Sequence, residues 1–424
     1  MPTLSEDLAF RDLIHQVTDD SLLPLIDKGG LTVYAGFDPS AASLQLGNLV
    51  GVLNLVRFQR AGHRPIALAG GGTGMVGDPS GKSEERSLLQ AEQLAANVAG
   101  IRAQLERFLD FDAGALLVDN GDWLWKVGLL EFLRDVGKHF TVNAMIARES
   151  VKARLEGREQ GISYTEFSYM LLQAYDYLQL FDLHGCRLQL GGSDQWGNIV
   201  SGVDLIRRLR GEEVHALTTP LLVDGQGRKM GKTETGTIWL DAGRTSPYRL
   251  YQYLLNTVDE RVPAYLRALT LLPAERIEEL DAALAEHPER REAQRALARE
   301  VVVLVHGEAE AEGAERAGRA LFGEEVASLD EPTLLAVFAE APSTTVARTE
   351  LGGEGLLLVE ALARSGLSPS RSAARTAVQQ GGAYVNNRRA EGIDRRLTAA
   401  DLLHERYVVL RRGRREHHLL RVES

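Results

Sequence analysis

Two kinds of apolar pattern alternate along the chain. From Leu31 to Gly77 a short strand-like run passes through a polar turn into a helical repeat. Apolar residues at 49, 52, 53 and 56 mark one helix face over Leu49–Arg60. Gly62 stops the helix, and "RPIALAG" follows as a second strand, so the order is that of a βαβ unit. Further on, "CRLQL" runs into "GGSDQWGNI" and another helix, which puts two polar turns at the same carboxyl edge of a parallel sheet. Ligands of open α/β sheets bind along that edge.

Between these units, "SYTEFSYMLLQAYDYLQL" opens with Ser163 and Glu166 at the spacing of a capping box, which fixes a helix register. Tyr169, Gln173 and Asp176 then fall at i, i+4 and i+7 on one face, while Met170, Leu171, Leu172, Ala174, Tyr175 and Leu178 make the rest apolar. Such a polar stripe is either the solvent side of the helix or the lining of a cavity. Its lack of Lys and Arg favours the cavity, where an Asp needs a donor, either a ligand hydroxyl or an ammonium group.

Beyond Ser246 the pattern is helical to about Phe322, with breaks at "LLPAE" and "EHPE", and 246–340 reads as an α-helical domain after a catalytic domain of residues 1–245. "APSTTVARTELGGEG" has no periodicity, and 341–355 reads as a linker before a C-terminal module, 356–424. No repeat of solenoid length is present.

Composition narrows the class. With 44% apolar residues in 424, each of two or three domains has enough for a core. The start of the chain carries Glu6 and Asp7 and no basic-then-apolar leader, and no apolar run reaches the roughly 18 residues of a membrane span. A single cysteine, Cys186, excludes an internal disulfide and a cysteine-rich zinc module. A reduced, cytoplasmic protein is the expectation. The net charge of −11 conceals an asymmetry, because residues 364–424 hold 13 Arg, no Lys and 6 acidic residues. That is either a solvated basic face or a module that grips a polyanion.

Three stretches carry candidate phosphate chemistry. "YAGFDPSAASLQLGNL" is a small, polar turn into a helix, where backbone N–H groups and the helix dipole favour an anion. "GGGTGMVGDPSGKS" resembles a P-loop, but three residues separate Gly77 from Gly81 where the P-loop motif has four. Its glycines are expected to let a ligand approach the strand end, and Lys82 and Arg86, four apart, either grip phosphate or form a solvated pair. In "DGQGRKMGKTETGTIWL", Lys229, Lys232 and Thr233 sit in a Gly-flanked loop suited to closing over a polyphosphate.

"GFDPSAASLQLGNL", "GDPSGKSEER", "SYMLLQAYD", "GGSDQWGNI" and "KMGKTETGTIWL", in this order, resemble the bacterial tyrosyl-tRNA synthetases, class I enzymes, and the resemblance covers essentially the whole chain. It implies a Rossmann-like parallel-sheet catalytic domain, an α-helical domain and a small α+β RNA-binding module related to a ribosomal protein. It also implies activation of tyrosine with ATP to tyrosyl-adenylate and pyrophosphate, then transfer to the 3′ end of tRNA. Residue by residue, Tyr34 and Asp176 would bind the tyrosine hydroxyl, and Asp78, Tyr169 and Gln173 its ammonium group. Gln195 would hold the carboxylate. Asp38 and Asp194 would position the substrates around the ribose and amino group, with Gly36, Gly47 and Gly192 at the nucleotide. Lys82, Arg86, Lys229, Lys232 and Thr233 would stabilise the leaving pyrophosphate.

The same resemblance implies Mg2+ arriving with ATP rather than at a dedicated protein site, no editing domain, and a homodimer with "LLEFLRDVGKHF", Leu129 to Phe140, as candidate interface. Arg371, Arg375, Arg388, Arg411, Arg412, Arg414 and Arg415 would contact tRNA phosphates. One departure stands out, since Gln45-Leu46-Gly47-Asn48 occupies the place of the usual His-x-Gly-His. Gln45 and Asn48 still offer neutral N–H donors, and Ser40 keeps a hydroxyl beside them. Two rivals remain at this point: a catalytically weakened homologue acting as an RNA-binding protein, and a P-loop kinase.

Overall fold

The computed structural model describes residues 2–78, 90–148, 151–152, 162–233, 236–321, 326–339, 341–413 and 416–423. The chain forms two compact units, one of residues 1–244 and 257–297, the other of 245–256 and 298–424.

The first unit is built on a six-stranded sheet. Its strands are β1 (Gln16–Val17), β2 (Thr32–Phe37), β3 (Arg64–Ala69), β4 (Leu116–Asp119), β5 (Cys186–Gly192) and β6 (His215–Thr219), in the order β1-β6-β5-β2-β3-β4. All neighbours are parallel except the edge strand β1, which runs antiparallel to β6. β2 is central, pairing Tyr34 with Ile66 on one side and with Gln189 on the other. Helices cover both faces, so the strands read as nearly continuous apolar runs rather than alternating ones. Chain order reverses between β2 and β5, and the crevice outside their carboxyl ends is where an open α/β sheet takes its ligand.

The helix Leu49–Arg60 matches the expected span but is buried almost all round, including Asn54 and Arg57. Arg57 donates to Asn54 Oδ1 at 3.0 Å and to the carbonyls of Arg267, Ala268 and Thr270 at 3.2, 3.1 and 2.8 Å. Arg11 reaches Arg267, Thr270 and Leu272 carbonyls and pairs with Asp7 at 2.8 Å. These two guanidinium groups satisfy the carbonyls that the helix Val262–Leu269 leaves open at its C-terminus.

The helix Tyr164–His184 begins where the capping signal predicts. Ser163 Oγ accepts the Glu166 N–H at 3.2 Å, and Gly185, at φ 62°, closes the other end in the left-handed conformation. The segment 246–340 is helical with breaks near the expected places, one before and one after the helix Ala274–Glu286. The boundary between the two compact units nevertheless runs through it, inside the helix Glu292–His306.

The second unit contains a five-stranded sheet in the order Arg388–Arg389, Ala383–Val385, Tyr407–Arg412, Glu416–Glu423, Ser343–Ala347. The last strand corrects the expected linker: Ser343–Ala347 pairs in parallel with Leu419–Glu423. Its run Thr344-Thr345-Val346 is β-branched, and that preference outweighs the Pro, Ser and Gly around it. Asn386 and Asn387, at φ 47° and 61°, form a two-residue hairpin turn. Leu358, Leu362, Ala374 and Val378 from the helices Leu358–Arg364 and Arg371–Gln379 pack with Val408, Leu410 and Leu420 of the sheet. Among the described residues no helix is long and apolar enough to cross a membrane.

Candidate active site

A cavity of about 700 Å³ opens at the carboxyl ends of β2 and β5. Around it stand Tyr34, Gly36, Asp38, Ser40, Gln45, Gly47, Asn48, Asp78, Tyr169, Gln173, Asp176, Gly192, Asp194, Gln195, Lys229 and Lys232. The motifs separated by up to two hundred residues in sequence therefore meet at one place. Lys82 and Arg86 lie outside the described residues; Thr233 lies on the short strand Lys232–Thr233, which runs antiparallel to Gly236–Thr237.

The polar stripe of the helix Tyr164–His184 faces this cavity and not solvent, Tyr169 and Asp176 being buried at 5% and 2% exposure. Asp176 accepts from Asn120 Nδ2 at 2.9 Å and from Trp123 Nε1 at 2.8 Å. Burial nonetheless outweighs these two donors and pushes its carboxyl up to about 7, with the charges of Asp38 and Asp119 adding to the rise. Tyr34, on β2, is buried with its hydroxyl lacking a partner among the described residues. Burial first and the Asp176 charge second raise its phenol well above the ordinary range, so it stays a neutral donor. A buried hydroxyl left unpaired costs about 1–3 kcal/mol, a cost that a ligand able to pair with it removes.

Further up, Tyr169 donates to Asp38 at 3.0 and 3.1 Å, and Thr73 donates to the same carboxylate at 3.1 Å. Gln195 Nε2 donates to Asp78 Oδ2 at 2.7 Å, and Asn198 Nδ2 to Gln173 Oε1 at 3.0 Å. Asp78, Tyr169 and Gln173 thus offer a carboxylate, a phenol oxygen and an amide oxygen toward one region, a set suited to an ammonium group. Elsewhere around the cavity, Lys229 Nζ is paired with Asp194 Oδ2 at 2.8 Å. Asn48 uses its side-chain oxygen to accept the Gln45 N–H at 2.9 Å, which fixes the turn and leaves its amide N–H₂ as the donor for a ligand. Gln45 is half-buried and Ser40 exposed.

Of the glycines in "GGGTG", Gly70 and Gly74 line the cavity, whereas Gly71 and Gly72 meet the protein's own chain. A Cβ on Gly71 would come within 2.2 Å of Asp119 Oδ1, and one on Gly72 within 2.7 Å of the Leu124 side chain. Asp119 accepts the Gly71 N–H at 3.1 Å, and Asn120 Oδ1 that of Gly72 at 2.7 Å. At Gly71 and Gly72 the close approach that needs glycine is made by the protein's own segment at and just after the end of β4. Asn120 in this way ties the glycine turn to Asp176. It was missed in the sequence along with Trp123 and Gln189, whose buried Oε1 lines the cavity beside Tyr34. "DNGDWLW" after an apolar strand was the available signal for the first two, since a buried carboxylate requires donors.

In the C-terminal module, Arg371 and Arg375 on the helix Arg371–Gln379 and Arg388 on the sheet are exposed, and Arg371 pairs with Glu360 at 2.8 Å. Arg412 is half-buried and donates to the Leu367 carbonyl at 2.6 Å. Arg411 departs from the expected surface contact. It is buried and stacks on Tyr384 at 3.8 Å from the ring centroid, a cation–π contact within the sheet. Arg414 and Arg415 lie outside the described residues.

A doubly wound sheet with a polar cavity at its switch point has the architecture of the class I aminoacyl-tRNA synthetases. A model of the class I tRNA synthetases for tryptophan and tyrosine matches residues 27–323, and one of the tyrosine–tRNA ligase C-terminal domain matches 334–420. The chain belongs to the tyrosine–tRNA ligase family. It is 52% identical over 425 residues to the tyrosine–tRNA ligase of Roseiflexus castenholzii, covering all of both chains. It is 51% identical to that of Rhodopirellula baltica, covering 100% of this chain and 97% of the relative. Among solved structures, a C-terminally truncated mitochondrial tyrosyl-tRNA synthetase of Aspergillus nidulans superposes with a TM-score of 0.67 at 34% identity, over 76% of this chain and 95% of that one. The Archaeoglobus fulgidus tyrosyl-tRNA synthetase shares the fold at a TM-score of 0.55 and 18% identity, over 73% and 99%. The chain is thus a ligase, and the P-loop kinase alternative falls.

Proposed function

We propose that this enzyme activates L-tyrosine with ATP and transfers it to its tRNA with the following division of labour. The observation that carries the reading is the unpartnered Tyr34 hydroxyl beside the Asp176 carboxylate in the cavity. There the substrate hydroxyl donates to Asp176 and accepts from Tyr34. Asp78, Tyr169 and Gln173 hold the ammonium group, and Gln195 orients the carboxylate. Asp38 and Asp194 position the substrates around the ribose and amino group, with Gly36, Gly47 and Gly192 leaving room for the nucleotide.

Tyrosine's carboxylate oxygen attacks the α-phosphorus, and the bond to the α–β bridging oxygen breaks as pyrophosphate leaves. Charge grows on that pyrophosphate, and donors aimed at it lower the barrier without reorganising. Gln45, assisted by Ser40, supplies an amide N–H there, and Lys82, Arg86, Lys229, Lys232 and Thr233 supply the rest. Asn48 serves the ribose. Lys229 leaves Asp194 for the phosphates as the loop closes. ATP enters with Mg2+ on its phosphates, as part of the substrate; Asp38 and Asp78 each already engage protein donors. The adenylate then passes its acyl group to a terminal ribose hydroxyl of tRNA held by the exposed arginines of the C-terminal module.

Gln45→Ala tests the phosphate assignment. Removing a donor that meets charge only in the transition state is expected to lower kcat for pyrophosphate exchange about a hundredfold with tyrosine KM unchanged. An unchanged exchange rate would contradict it. The reading as an RNA-binding protein without catalysis has no observation in its favour.

The homodimer belongs to the same proposal. Leu129, Leu130 and Leu133 of the helix Leu129–Asp135 are exposed at 72, 81 and 42%, with Val142 at 58% and Ile146 at 42% nearby. An apolar surface of that kind on a protein of this size fits a two-fold interface with a second copy. Leu130→Glu is expected to give a monomer by sedimentation at micromolar concentration; a variant still dimeric would place the interface elsewhere. A role in translation also fits the expected cytoplasmic location.

A further inference from the structure

The helix Ala91–Leu105 presents Asn97, Gly100 and Gln104, at i, i+3 and i+7, along one face. That face lies on the segment 39–44, just ahead of Gln45. Asn97, buried, donates to the Pro39 carbonyl at 3.0 Å, and a Cβ on Gly100 would come within 2.3 Å of the Ala42 carbonyl oxygen. Gln104 makes two bonds: its Oε1 accepts the Leu44 N–H at 2.8 Å, and its Nε2 donates to Ser43 Oγ at 3.1 Å. Ser43 Oγ also accepts the Asp241 N–H at 3.1 Å. Between these segments Leu46 N–H donates to Ile238 O at 3.0 Å and Leu240 N–H to Leu44 O at 2.9 Å. Gln45 itself is bridged to Trp239.

Ser43, Asn97 and Gln104 do not line the cavity. Their bonds instead join the backbone that carries Gln45 to the stretch that leaves the loop of Lys229 and Lys232. We propose that Gln104 is a positioning residue for adenylate formation, acting through Gln45: it holds the Ser43-Leu44 peptide and, by way of the Ser43 hydroxyl, registers both phosphate-binding segments against one helix. This role rests on the assignment of Gln45 to the leaving phosphates. The physical reason is distance sensitivity. Leu44 is one residue from Gln45, and a shift near 1 Å in a group meeting a transition state costs up to about a hundredfold in rate. An amide is needed at 104 because it must accept from a peptide N–H and donate to a hydroxyl at once, which no apolar side chain of the same length does.

The test is tyrosine-dependent pyrophosphate exchange with Gln104→Met, which keeps length and removes both bonds, and Gln104→Glu, which keeps the acceptor for Leu44. Gln104→Met is expected to lower kcat/KM for ATP about tenfold with tyrosine KM unchanged, and Gln104→Glu, which keeps one of the two bonds, to recover part of that. In a Gln45→Ala background the further loss is expected to stay within about twofold, because the group being positioned is gone. Should Gln104→Met not yield folded protein, Ser43→Ala carries the same comparison. Losses that multiply in the double variant, or an equal rise in KM for both substrates, would overturn the positioning role. Full exchange in Gln45→Ala alone would instead remove the assignment of Gln45 and this role with it.

Discussion

Asp176→Asn is expected to lower kcat/KM for tyrosine by about 10²–10³-fold while leaving the slow activation of phenylalanine nearly unchanged. The carboxylate already accepts from Asn120 and Trp123, and its remaining lone pairs are proposed to accept the substrate hydroxyl. Asparagine offers one oxygen for three donors and turns its own N–H₂ toward one of them. One buried donor is then left unpaired and the substrate bond is lost, each at about 1–3 kcal/mol. Sites that pair a substrate hydroxyl reject the analogue lacking it by 10⁴–10⁵; enzymes activating tyrosine are the standing example of that rule, so the magnitude is theirs. An equal loss for both amino acids in the exchange assay would mean that Asp176 supports the fold and not the choice of substrate.

The same carboxyl predicts a pH dependence. Burial holds it at about 7 in the ligand-free folded enzyme, against about 4 in an unfolded chain. The folded state therefore binds the extra proton between those values. The stability this provides is full below about pH 4 and is lost as pH rises through about 7. Tyrosine binding runs the other way, since the hydroxyl donates to the ionised form. The tyrosine KM at pH 6 is expected about tenfold above its alkaline limit, and flat over that range in Asp176→Asn. A KM independent of pH in the parent enzyme would contradict the donor-to-carboxylate geometry.

Deleting residues 342–424 is expected to spare tyrosine-dependent exchange to within about twofold and to reduce tRNA charging by about 10²-fold or more at moderate salt. The apolar cluster of the C-terminal sheet and its two helices runs from Val346 to Val422, so the cut removes that core whole and not in part. Cutting at 351 would leave Ser343–Ala347 behind as an unpaired edge strand. The cut also removes His417, whose ring lies 5.7 Å from that of Phe338. Since the removed segment is a basic arm on an acidic chain, the loss should deepen as salt falls, because the intact enzyme gains most from phosphate contacts there. Loss of exchange together with charging would mean that the catalytic unit depends on this module to fold.

The legible parts of this molecule are those set by local pattern. The spacing of Tyr169, Gln173 and Asp176 within a capped helix located one wall of the cavity, and the strand-turn-helix signals placed both loops at one sheet edge. Contacts between distant segments left no such trace. Asn120 and Trp123 reach Asp176 from more than fifty residues away, so nothing near either residue announces the bond. Arg57 sits at a buried position of an amphipathic repeat, and only the carbonyls of a helix two hundred residues on explain a charge there. The resemblance implies a tRNA contact for Arg411, but Tyr384 on the neighbouring strand gives it a buried seat instead. The strand Ser343–Ala347 forms because a partner strand lies alongside, a tertiary effect that overrides loop-like flanks.

The most direct measurement is exchange of labelled pyrophosphate into ATP by the full chain, with tyrosine, phenylalanine or tryptophan supplied in turn. Exchange with tyrosine alone is the predicted result, and it would show that Gln45-Leu46-Gly47-Asn48 suffices for ATP where the usual sequence carries two histidines. Folded protein that binds tRNA yet catalyses no exchange with any of the three would contradict the account.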